Sequence, residues 1–217
     1  MYQTILFDLD GTITDSAPGI INSAAYALNK FGIPVEDRST LRRFIGPPLQ
    51  QSFMQFYGLS ADEGKLGIKY YREYYTAKGI FENALYDGIP ELLGALKAAG
   101  KRVLLATSKP ESFAVQILEH FGIAQYFDLI AGATLDEKRV EKPDVIAYAL
   151  ASAGITEVSQ CVMVGDRKHD ILGANQFGMD SVGVLYGYGD LAELAGTGAT
   201  HIVESVTALG ELLLAHT

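Results

Sequence analysis

The run Thr4-Ile5-Leu6-Phe7-Asp8-Leu9-Asp10-Gly11-Thr12 constrains this chain more than any other stretch. Residues 4–7 suit a buried strand, and two carboxylates follow just where that strand ends. In extended backbone, side chains two positions apart share a side, so Asp8 and Asp10 face one crevice. Gly11 follows, where the chain turns or admits a ligand close to the backbone. Two acids so near each other repel and lose hydration, a cost that a cation or a shared proton offsets. A fold keeps such a pair where chemistry needs it.

The same arrangement recurs along the chain. Arg102–Ala106 is a short apolar run ending in Thr107-Ser108-Lys109, and Cys161–Val164 runs into Gly165-Asp166, with Asp170 four residues later. Lys142-Pro143 opens a helical stretch, proline being suited to a first helical turn. From Arg102 onward, strand-like runs (Leu129–Ala131, Cys161–Val164, Ser181–Leu185) alternate with helical patterns at Glu111–His120, Pro143–Ala153 and Asp170–Phe177. That alternation predicts an α/β, doubly wound parallel sheet with crossover helices. Ligands bind outside the carboxyl ends of such strands. Asp8, Asp10, Thr107 and Asp166 are therefore expected to converge there, joined by Lys142 from its helix start.

Between Ala17 and Ala77 the pattern changes to helices at Gly19–Lys30, Leu49–Phe56 and Ala61–Ala77, without strands. The expected organisation is a core of residues 1–14 and 84–217, interrupted by a helical insert of residues 15–83. Ser16 is placed to cap the first helix, with Pro18 in its first turn. Gly88 and Pro90 read as turn signals at the second junction.

A net charge of −9 over 217 residues argues against nucleic acid as a partner. It also opposes an anionic substrate, so a local cationic cluster or a metal must override it. A single cysteine excludes an internal disulfide and favours a reducing compartment. No apolar stretch is long enough to span a bilayer and no leader pattern precedes Asp8, so no membrane partner and a cytoplasmic location are expected.

Several residues have bland readings. Cys161 lies in an apolar run and reads as core. His120, His169, His201 and His216 lack zinc-ligand spacing, and His169 reads as a surface residue. Tyr70, Tyr71, Tyr74 and Tyr75 fall at helical spacing and read as packing within the insert. Arg42-Arg43 reads either as a solvated basic pair or, with the stiff Gly46-Pro47-Pro48 turn, as part of a substrate-reading surface.

Asp8-Leu9-Asp10-Gly11-Thr12, the strand ending in Thr107, Lys142 before a proline, and Gly165-Asp166-Arg167-Lys168-His169-Asp170 together resemble the four motifs of the haloacid dehalogenase-like (HAD) hydrolase superfamily. They stand in the family's order and cover nearly the whole chain. Residues 14–20, Thr107–Pro110 and the chain length resemble the phosphoglycolate phosphatase branch, and Phe44–Leu49 a 5′-nucleotidase-like subgroup of it. The resemblance implies a Rossmann-like core with an inserted helical cap closing over the strand ends, and hydrolysis of a small phosphorylated metabolite by a phosphatase. It gives Asp8 the role of nucleophile forming an aspartyl-phosphate and Asp10 that of general acid and base. Thr107, the backbone near Ser108, and Lys142 would hold phosphoryl oxygens. Mg²⁺ would be held by Asp8, the Asp10 backbone carbonyl and Asp166, with Asp170 orienting a metal-bound water or Lys142.

The acid at Asp10 favours phosphoryl transfer over dehalogenation, and Ile20 stands where phosphomutase relatives carry histidine. A sugar-phosphate phosphatase, pyrophosphatase or phosphomutase of the same superfamily remains an alternative. A non-catalytic phosphoacceptor signalling domain is the rival of another class, though such a domain needs no helical insert. A monomer or weak dimer is expected.

Overall fold

Residues 4–7 form the central strand of a six-stranded parallel sheet, and all four are buried, as a run covered on both faces must be. The structure, a computed structural model, describes residues 1–136 and 138–215; His216 lies outside them. The chain divides into two units, Met1–Thr14 with Leu85–Thr217, and Asp15–Ala84.

In the first unit the strands are β1 (Thr4–Phe7), β4 (Arg102–Pro110), β5 (Leu129–Ala133), β6 (Cys161–Gly165), β7 (Asp180–Val184) and β8 (His201–Val203), in the order β5-β4-β1-β6-β7-β8. Two short strands, β2 (Thr14–Asp15) and β3 (Ala84–Leu85), pair where the chain leaves and re-enters this unit. Because the chain builds outward to one side of β1 and then to the other, the strand order reverses beside β1. Such a reversal leaves a crevice at the carboxyl ends of the strands. One layer of the core joins Leu6, Leu104, Met163 and Cys161 to Val145, Ile146 and Ala149 of the helix Lys142–Ser152. Cys161 is thus core.

Several elements differ from the sequence reading. β4 runs on to Pro110 instead of ending at Ala106, with a register break against β5 between those residues. Ile89–Ala98 is a helix although Gly88-Pro90 reads as a turn: Pro90 sits in its first turn, where no backbone N–H is needed. The helix after Asp166 spans Lys168–Asn175, two residues earlier than expected. Among the described residues no helix is long and apolar enough to cross a membrane.

The second unit is helical: α1 (Ala17–Lys30), α2 (Leu49–Tyr57) and α3 (Ala61–Ala77), with 3₁₀ turns at Arg38–Phe44 and Gly79–Phe81. Ser16 does not cap α1 with its side chain; the Ala17 N–H donates to Asp15 Oδ1 at 3.2 Å instead. Ser60 and Glu63 form a reciprocal capping box at α3. Gly67 leaves room for the Phe53 ring, which meets Phe44 edge-on at 5.1 Å. Tyr71 stacks on Tyr75 at 5.4 Å, Tyr70 meets Phe31 edge-on, and the Tyr74 hydroxyl donates to Glu82. Those tyrosines pack within the unit.

Candidate active site

Register decides which residues leave the sheet together. Phe7 lies level with Leu105 and with Val164, so Asp8 emerges beside Ala106 and Gly165. At the end of β4 ordinary strand alternation sends two side chains inward: Thr107 and Lys109 are both buried, with Ser108 half-buried between them. The Lys109 N–H donates to Thr107 Oγ1 at 3.2 Å.

Lys142 is the hub. Its Nζ lies 2.8 Å from Asp8 Oδ1 and 2.8 Å from Asp170 Oδ1, and it donates to the Ala106 carbonyl at 2.9 Å. Beyond Lys142 neither of those carboxylate oxygens has a hydrogen-bond partner. Burial lowers the Lys142 pKa, but the charges of Asp170 and Asp8 outweigh it and hold the ammonium above its ordinary value. Asp8 moves the other way: burial raises it, Lys142 draws it back, and Asp170 pushes it up again.

Asp166 is fully buried. Its Oδ2 accepts the Tyr188 N–H at 2.7 Å, while Thr12 Oγ1 approaches Oδ1 only at 3.5 Å. Burial, then the charges of Asp170 and Asp8, raise its pKa well above its ordinary value. Asp170 has both oxygens engaged, Oδ1 with Lys142 and Oδ2 with the Arg167 N–H at 3.1 Å. The latter bond caps the helix Lys168–Asn175, so Asp170 serves the helix start as well as the cluster.

Asp8, Asp166 and Asp170 each offer an oxygen, and these oxygens lie within 4.8 Å of one another. Fully ionised, the three carboxylates against one ammonium carry two negative charges, the charge that one divalent cation balances. An all-oxygen donor set suits a hard cation such as Mg²⁺. The residues present therefore fit a metal ion. The Asp10 carboxylate stands outside this group; its Oδ2 pairs with Lys109 Nζ at 2.8 Å, and its buried Oδ1 has no hydrogen-bond partner.

The structure thus brings together Asp8, Asp10, Thr107, Lys142, Asp166 and Asp170, in the first unit. Arg42, Arg43, Gly46 and Pro47 belong to the second. There Arg43 lies over the Phe56 and Tyr57 rings at 4.6 and 5.1 Å, and Phe44 and Ile45 are buried. That loop is anchored by packing more than its proline content suggests. His169 is half-buried rather than at the surface, and burial lowers its pKa. Sequence reasoning missed the Lys109–Asp10 pair and the Tyr188 amide; Tyr186-Gly187-Tyr188-Gly189 directly after a strand was the available signal for the second.

Residues 5–184 match the family model described as haloacid dehalogenase-like hydrolase. A 5′-nucleotidase of Pseudomonas aeruginosa is 43% identical over 215 residues, covering 99% of this chain and 97% of that one. The tyrosine-protein kinase PtkA of Mycobacterium tuberculosis is 44% identical over 206 residues, 94% of this chain and 69% of that one. A phosphoglycolate phosphatase of Vibrio parahaemolyticus is 33% identical over 97% of this chain and 96% of its own length. Among solved structures, a predicted phosphatase from Clostridium acetobutylicum superposes with a TM-score of 0.95 at 50% identity, covering 99% of both chains.

Proposed function

This chain belongs to the haloacid dehalogenase-like hydrolase family and is a phosphatase, and from that premise we propose that it hydrolyses a small phosphate monoester with Mg²⁺ through an aspartyl-phosphate. The supporting observation is the cluster itself: three buried or nearly buried carboxylates, one lysine, and a remaining charge that matches one divalent cation. Asp8 attacks phosphorus, so one hard displacement becomes two easier ones. Lys142 keeps the Asp8 carboxylate oriented and balances charge on the phosphoryl oxygens; Thr107 and the Ser108 backbone hold the rest. Asp10 protonates the departing alkoxide and then takes a proton from the attacking water. Asp8, the Asp10 backbone carbonyl and Asp166 would hold the metal, and Asp170 fixes Lys142. When bound there, Mg²⁺ would supply positive charge against which an anionic nucleophile can approach an anionic ester, and would stabilise charge on the phosphoryl oxygens.

The core addresses only the phosphoryl group, so the helical unit, read as a cap over residues 15–83, supplies selectivity through Arg42, Arg43, Gly46 and Pro47. A nucleoside 5′-monophosphate or phosphoglycolate is the substrate this reading favours, in the cytoplasm. Turnover of purified protein against a panel of phosphate esters, with and without chelator, tests it. Mg²⁺-dependent release of phosphate from one of these two classes is expected; full activity in excess chelator would contradict the metal assignment. An arm with ATP and a tyrosine peptide belongs in the panel, because one relative is named a tyrosine kinase. Transfer to tyrosine without ester hydrolysis would overturn the reading.

A further inference from the structure

Two glycines beside Asp166 are not required by their own backbone. Neither Gly187 nor Gly189 is among the glycines at positive φ, so an L side chain meets no conformational barrier at either. What excludes a side chain is Asp166. A Cβ at Gly187 would be driven into the Gly11 carbonyl and the Asp166 Cβ, and would stand 2.7 Å from Asp166 Oδ2. A Cβ at Gly189 would collide with the Asp166 carbonyl oxygen. From the opposite side a Cβ at Gly11 would collide with Asp166 Oδ2 and its Cγ. Between the two glycines the Tyr188 N–H donates to Asp166 Oδ2 at 2.7 Å, and the Tyr186 hydroxyl donates to the Thr12 carbonyl at 3.1 Å.

We propose that Tyr186–Gly189 is a positioning clamp that holds Asp166 ready to ligate a divalent cation. This rests on the metal site read above and extends it to a segment outside the four motifs. Pinning Oδ2 fixes the plane of the carboxylate and leaves Oδ1, which the Thr12 hydroxyl approaches only at 3.5 Å, as the oxygen that meets the cation. A ligand ordered in advance loses little freedom on binding, so the clamp acts on affinity. The glycines let the clamp close directly onto the acid, and Tyr186 ties the same segment to the turn after β1.

The test is calorimetric titration of metal-free protein with Mg²⁺ alone, without substrate, alongside circular dichroism and thermal melts. Gly187→Ala and Gly189→Ala should remain folded and bind Mg²⁺ about 10- to 100-fold more weakly, the range for losing a group that orients a metal ligand. Gly196→Ala, whose Cβ meets nothing within 4 Å, should bind as the wild type does. Should both clamp variants fail to fold, Tyr186→Phe decides: it removes one hydrogen bond and should weaken binding about two- to tenfold. Wild-type affinity in a folded Gly187→Ala, or in Tyr186→Phe where that variant decides, overturns the clamp alone. A wild-type protein that takes up no Mg²⁺ overturns both the clamp and the metal site.

Discussion

Replacing Lys142 by methionine should destabilise the metal-free protein far more than the loss of a surface lysine would. The side chain is almost fully buried, with two carboxylates 2.8 Å from its Nζ. At an effective dielectric of 20, each such contact amounts to about 6 kcal/mol of gross attraction. Most of that offsets the cost of burying the ammonium, several kcal/mol per ion. Methionine fills similar space but leaves Asp8 and Asp170 facing each other and Asp166 without a cation. Breaking a buried pair in this way costs roughly 3–5 kcal/mol, which in a chain of this length lowers the melting temperature by about 6–20 °C. Two compensations should follow. Asp170→Asn in the Lys142→Met background should recover part of the loss, with a coupling of about 0.5–3 kcal/mol between the two sites. Mg²⁺ at 100 times its Kd should stabilise by about 2.7 kcal/mol. Urea unfolding of the four proteins of this cycle, in chelator and in Mg²⁺, reads each quantity. A Lys142→Met loss below about 1 kcal/mol, with no rescue by Asp170→Asn, would refute the view that these acids share one essential cation.

Asp166→Asn should stabilise the metal-free protein at neutral pH by about 0.5–2 kcal/mol while reducing Mg²⁺ binding. Burial and the charges of Asp170 and Asp8 raise the native Asp166 pKa above its unfolded value, so the native state keeps its proton to higher pH. Wild-type stability therefore falls relative to the variant as pH rises from the ordinary carboxylate range to the raised native value, and the gap is constant above it; a gap that widens on acidification would contradict this. Lys109→Met should lower kcat more than it raises KM, because Lys109 orients Asp10 through their 2.8 Å contact; steady-state kinetics on an unactivated ester and on p-nitrophenyl phosphate compare the effect where leaving-group protonation matters and where it does not. Arg42→Ala should change kcat/KM unequally among natural esters by roughly ten- to a hundredfold, a contact of about 1–3 kcal/mol; a uniform loss across the panel would move selectivity away from this residue.

The strands that carry the site were legible because their burial is two-sided. Residues 5–7 and 161–164 are unbroken apolar runs that lead into Asp8 and, past Gly165, Asp166, and the structure places both side by side in register. β8 was not legible: three half-buried residues, His201–Val203, carry neither alternation nor a continuous apolar run. Ile89–Ala98 was hidden by Pro90, whose meaning depends on whether a helix starts there or a turn ends. The chemistry at the end of β1 followed from Asp8 and Asp10 themselves. The partners of those acids did not, since the Lys109–Asp10 pair joins residues about a hundred positions apart and depends on β4 running on past Ala106 beside the end of β1. Backbone donors such as the Tyr188 amide carry no residue signature, and Gly187 and Gly189 record their presence only indirectly.

The central claim is that Asp8 carries the phosphoryl group between substrate and water. Rapid acid quench during turnover, followed by peptide mapping by mass spectrometry, addresses it directly. The account predicts a hydroxylamine-sensitive phosphoryl adduct on Asp8, absent in Asp8→Asn and longer-lived in Asp10→Asn, where the water lacks its base. A phosphoryl group on any other residue, or undiminished turnover by Asp8→Asn, would contradict it.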